Sequence, residues 1–92
     1  MLKYWFNRLR GRPTVLYYFA RSVLIYRADG RMIELPGENL IDGFQIDLSA
    51  VMSWDDSPAK FLSPEEKLQV GKAAADAAEA QWGMKVVVGA AA

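Results

Sequence analysis

Ser22–Leu35 reads SVLIYRADGRMIEL, and this stretch decides the fold. Two apolar runs, Ser22–Arg27 and Arg31–Leu35, flank Ala28-Asp29-Gly30. Asp-Gly between such runs predicts a tight hairpin, because Asp and Gly tolerate the positive φ angles of a type I′ turn. Pro36-Gly37 is expected to end the second strand, since proline cannot donate to a ladder.

Working outward, Thr14–Phe19 has the β-branched and aromatic composition of a further strand. Residues 1–12 read as a basic amphipathic arm, either a short helix or extended. Leu2, Trp5, Phe6 and Leu9 fall at helical spacing, and Gly11-Arg12-Pro13 ends the segment. Downstream, Glu38–Gly43 reads as a loop with Leu40 and Ile41 tucked inward. In Phe44–Ser49 the apolar Phe44, Ile46 and Leu48 alternate with Gln45, Asp47 and Ser49, the pattern of a strand buried on one face. Ala50–Trp54 either continues that strand or forms a short return, and Asp55–Leu62 is a connector.

Ser63-Pro64-Glu65-Glu66 specifies a helix start, with an N-cap serine, proline at the first helical position and a glutamate placed to close a capping box. The helix is expected to run to Gln81 or Trp82 and to end at Gly83. Leu68, Gly71, Ala75, Ala78 and Trp82 form its expected inner stripe. The small residues there predict close approach to a sheet. Met84–Val88 supplies a last strand, and 89–92 a flexible tail. The expected architecture is therefore α+β, one domain over residues 1–92. It has a small antiparallel or mixed sheet of about five strands, one C-terminal-half helix packed on it, and a short N-terminal helix or arm.

The chain has 92 residues, 52% of them hydrophobic, enough for one modest packed core. It has no histidine and no cysteine. That inventory removes the commonest general base, nucleophile–imidazole dyads, thiolate metal sites and disulfides. The seven glycines are dispersed and build no phosphate-cradling loop. No catalytic residue, metal or cofactor is assigned, and the chain is read as not an enzyme. The N-terminus starts basic but lacks the apolar run of a secretory signal, and no stretch approaches the ~20 apolar residues of a membrane span. The expected location is cytoplasmic, without a membrane partner.

The charge balances to zero but is segregated. Residues 1–31 hold Lys3, Arg8, Arg10, Arg12, Arg21, Arg27 and Arg31 against Asp29 alone, while residues 32–92 hold four lysines against ten acids. Either the two segments pair within the molecule or they present oppositely charged faces to partners. A pI near 6.2 argues against a dedicated nucleic-acid binder. Asp42, Asp47, Asp55 and Asp56 fall close together in sequence beside Trp54. Their spacing is not that of an EF-hand. They read first as a solvated acidic face and Trp54 as an edge-of-core residue, with an acidic docking surface for a basic partner, anchored by the indole, as the alternative.

From Tyr26 to Glu66 the pattern resembles the immunity protein 74 family of bacterial polymorphic-toxin systems. The resemblance rests on the Asp-Gly hairpin, Ile33-Glu34-Leu35-Pro36-Gly37-Glu38, Gly43-Phe44-Gln45-Ile46-Asp47-Leu48-Ser49, Trp54-Asp55-Asp56-Ser57-Pro58 and the capped start Pro64-Glu65-Glu66. It implies a non-enzymatic antidote that binds and neutralises a cognate toxin, with Asp42, Asp47, Trp54, Asp55 and Asp56 on the binding surface. The alternative is a small structural or regulatory domain that forms a homodimer through an open sheet edge.

Overall fold

The computed structural model describes residues 13–89. The expected arm at 1–12 and the last three residues of the expected tail lie outside them. Among the described residues, five strands form one mixed, curled sheet in sequential order: β1 (Thr14–Tyr18), β2 (Val23–Ala28), β3 (Arg31–Leu40), β4 (Gly43–Ile46) and β5 (Lys85–Val88). The first four pair antiparallel, and β5 returns parallel to β4 after the helix α1 (Pro64–Trp82). The α+β class expected from sequence is the fold, and the sheet is mixed.

The β2–β3 hairpin closes as the dipeptide dictates. Asp29 has φ 54° and Gly30 φ 75°, and Ala28 pairs with Arg31. β3 does not stop at Pro36. Residues Arg31–Pro36 pair with β2, and Gly37–Leu40 pair with β4. Pro36 sits where the strand changes neighbours. Its carbonyl accepts from the Asp47 N–H at 2.9 Å, while Gly37 N–H donates to the Ser22 carbonyl at 3.0 Å. Proline fits there because the donor it lacks would point into the gap beyond the end of β4. The expected loop at Glu38–Gly43 is thus strand up to Leu40, and Ile41 is fully exposed at a two-residue turn rather than tucked inward.

Phe44, Ile46 and Leu48 are buried, as their alternation predicts. The strand ends at Ile46. Asp47 then caps a 3₁₀ turn over Leu48–Ala50 by accepting from the Ser49 N–H at 3.1 Å. With Val15, Leu24, Tyr26, Ile33, Leu35, Val51, Ala74 and Ala78 these side chains form the core. Each large aliphatic or aromatic member contributes about 1.5–3 kcal/mol relative to exposure.

α1 begins with the complete capping box. Glu66 N–H donates to Ser63 Oγ at 3.2 Å, and Ser63 N–H donates to Glu66 Oε1 at 2.9 Å. The helix ends at Gly83, φ 66°. Its buried residues are Gly71, Ala74 and Ala78, with Val70, Ala73 and Ala77 at the margin. The expected stripe is therefore rotated: Leu68 is 41% and Trp82 58% exposed. Small side chains make the close contact instead. A Cβ on Gly71 would stand 3.0 Å from Leu48 Cδ2 and 3.1 Å from Val88 Cγ1. Trp82 serves the sheet edge. Its indole N–H donates to the Val15 carbonyl at 2.8 Å, and the Val15 N–H donates to Gln81 Oε1 at 2.8 Å. The curl lets α1 reach both edge strands, β1 and β5. Gly89, expected to begin a frayed tail, continues the parallel ladder by donating to the Ile46 carbonyl at 2.8 Å.

Candidate functional site

Because β4 pairs only with the second half of β3, the first half has an open edge. Residues 51–58 lie along it without forming a strand. Met32 shows how they attach. Its N–H donates to Asp55 Oδ1 at 2.8 Å, and its carbonyl accepts from the Asp55 N–H at 2.9 Å. The connector thus occupies a neighbouring strand's place at one residue. It is anchored at its start by buried Val51 and near its end by the Leu62 N–H, which donates to the Met52 carbonyl at 2.9 Å.

Arg31, the first residue after the hairpin turn, completes the attachment. Its Nε donates to Asp56 Oδ2 at 2.9 Å and Oδ1 at 3.1 Å, and its guanidinium lies 4.3 Å from the centre of the Trp54 ring. On the inner side Trp54 meets Tyr26, with ring centroids 6.2 Å apart. Burial, with the Asp29 charge adding to it, raises the Tyr26 hydroxyl pKa above its ordinary 10.0.

The five acidic and aromatic candidates separate into three places. Trp54, Asp55 and Asp56 stand together beside the hairpin end of β3. Asp47 is at the seam near Pro36, spent on its own 3₁₀ turn. Asp42 is at the β3–β4 turn, 3.9 Å from Lys85 Nζ. About 30 Å of extended strand, at roughly 3.3 Å per residue, separates the two ends of β3. Among the described residues, Arg21–Glu34 at 3.9 Å and Arg31–Asp56 each pair a cation of the first third with an acid of the remainder; Lys3, Arg8, Arg10 and Arg12 lie outside them.

Several residues of this site carried no functional reading in the sequence. Arg31, Met32, Glu34 and Met52 join Trp54 and Asp55 around it. The outer face of β2–β3 and the connector enclose a hollow of about 360 Å³ lined by Ile25, Met32, Glu34, Pro36, Met52 and Asp55, among others. Met32 is 39% and Met52 57% exposed. The two-residue period of β3 places Met32 and Glu34 on the face opposite buried Ile33 and Leu35, which is the signal that could have found them. Among the described residues, no group of three or more acids is placed to hold a metal ion, and no helix is long and apolar enough to cross a membrane.

Compared with protein-family models, curated proteins and solved structures, the chain matches none.

Proposed function

We propose that this chain is a non-catalytic immunity protein that binds and neutralises a cognate bacterial toxin domain through the connector surface at Trp54, Asp55 and Asp56. The observation that carries the reading is the fixation of that connector. Hydrogen bonds at Met32 and the Arg31 contacts hold a half-buried indole and two exposed acids side by side. A preordered aromatic beside charge loses little entropy on docking, and acidic groups speed encounter with a basic target. The resemblance of Tyr26–Glu66 to immunity protein 74 supplies the toxin as partner. Asp42 and Asp47 lie apart from this surface and are left out of it. The test is co-expression with the product of the gene immediately upstream. Protection of the host that Trp54→Ala weakens supports the reading, and a toxin fully active with the candidate in excess rules it out.

A second reading has its own observation. Beside edge strand β1, a hollow of about 490 Å³ is lined by Leu16, Tyr17, Tyr18, Trp82 and Met84. Leu16, Tyr18 and Trp82 are all exposed. Such an edge suits self-association into a small structural or regulatory assembly. A strict monomer at high concentration by sedimentation removes that reading.

A further inference from the structure

We propose that the hollow between the outer face of β2–β3 and the connector receives an apolar side chain flanked by lysine or arginine on the partner protein. This rests on the protein-binding reading above and specifies the chemistry of its partner. Two observations converge on it. The first is shape and lining. Ile25, Pro36 and two exposed methionines, one on the sheet and one on the connector, face one concavity of about 360 Å³. That is room for one large side chain. Methionine, unbranched and polarisable, adapts to occupants of differing outline. The second is charge. Glu34 rises from the sheet wall and Asp55 from the connector wall. These two carboxylates are the charged residues among those lining the hollow. Of the neighbouring cations, Arg31 is turned to Asp56 and Arg21 to Glu34, while Arg27 stands exposed across the ladder from Met32 and is not among the residues lining the hollow. The Arg21–Glu34 contact is long, and about two thirds of each side chain is exposed. A partner guanidinium can displace Arg21 there at little cost, since exposed pairs of this kind contribute little to stability. An acidic or purely apolar partner would leave the rim carboxylates facing like charge or nothing, which disfavours it.

The test is selection of a random dodecapeptide display library on the immobilised full chain, followed by affinity measurement of the enriched synthetic peptides. The expected result is peptides with a leucine, methionine or aromatic residue next to lysine or arginine. Their affinity should fall at least about ten-fold, the equivalent of about 1.4 kcal/mol, on both Glu34→Arg and Met52→Asp. Both positions are exposed, and circular dichroism checks that the variants fold. No enrichment, peptides without that signature, or binding indifferent to both substitutions overturns the proposal. So does a concentration-dependent dimer that Glu34→Arg dissolves, because the hollow would then belong to a second copy. These readouts use no toxin. A basic apolar signature with no protection in co-expression defeats the toxin reading and leaves the pocket standing. Protection without the signature does the reverse.

Discussion

Arg31 lies with its guanidinium 4.3 Å from the centre of the Trp54 ring while its Nε donates to both carboxylate oxygens of Asp56. One side chain, placed by the hairpin turn, therefore positions both the indole and an acid of the proposed docking surface. An exposed cation–π contact contributes about 0.5–1 kcal/mol and an exposed ion pair less than about 1 kcal/mol. Arg31→Ala should thus lower stability by about 1 kcal/mol in urea titration. Its local effect should be larger, with faster hydrogen exchange at the Asp55 amide, whose bond to the Met32 carbonyl loses its support. Arg31→Lys keeps the charge without the planar fork and should recover only part of that protection.

The seam of β3 gives a sharper stability prediction. A Cβ on Gly37 would overlap the Gln45 carbonyl oxygen and crowd the Phe44 ring at 2.8 Å. Both neighbours are fixed, one by the β4 ladder and one by the core. Gly37→Ala should therefore destabilise by about 3 kcal/mol, the upper range for overpacking. Gly30→Ala meets no atom within 4 Å but keeps a φ of 75°, so it should cost about 1 kcal/mol. Parallel chemical denaturation of the two variants checks the order; equal effects would contradict the seam geometry.

The latch between α1 and β1 is separable from the core. Gln81→Ala removes the acceptor for the Val15 N–H, and Trp82→Phe removes the donor to its carbonyl. Each should cost about 1 kcal/mol. The double variant should lose less than the sum, because both bonds fix the same residue. A double-mutant cycle by thermal melting measures this.

Among the described residues, Glu66 and Tyr26 have displaced pKa values that act on stability with opposite signs. The Glu66 carboxyl is held below its ordinary 4.5 by hydrogen bonds from the Ser63 backbone and side chain. Its contribution is present above pH 4.5 and is lost as pH falls through the lowered folded value. The stability gap between the parent and Glu66→Gln should therefore narrow in acid. Tyr26 is raised above 10.0, chiefly by burial, so its contribution is whole below pH 10 and is lost as pH climbs through the raised value. Tyr26→Phe should melt higher relative to the parent above pH 10 than at neutrality.

The parts of this molecule legible in sequence are those set by neighbours along the chain. The Asp29-Gly30 turn, the Ser63–Glu66 capping box and the alternation of Phe44, Ile46 and Leu48 all follow from local stereochemistry and period. The continuation of β3 through Pro36 depends on a change of strand partner, which no local pattern records. The expected helix stripe holds at Gly71 and Ala78 but not at Leu68 and Trp82, whose size favours an inward reading by periodicity while close approach to the sheet selects small side chains, Ala74 among them. At the site, Trp54, Asp55 and Asp56 stay together because they are consecutive in an irregular segment. Asp42 and Asp47 lie further upstream, at the two ends of β4, which places one at the β3–β4 turn and the other at the seam near Pro36. Arg31 and Met32 join the site through a pairing across more than twenty residues, visible only once the connector is seen against the open half of β3.

The most direct measurement is isothermal titration of the full chain with the C-terminal region of the protein encoded by the neighbouring upstream gene, the partner the proposed function points to, beside the Trp54→Ala and Glu34→Arg variants. The account predicts a saturable one-to-one complex that both substitutions weaken by about ten-fold or more, with free Glu34→Arg melting close to the parent and free Trp54→Ala, which also loses its packing on Tyr26 and Arg31, melting lower but still folded. No heat of binding with the unaltered chain, or binding that neither substitution changes, would contradict it.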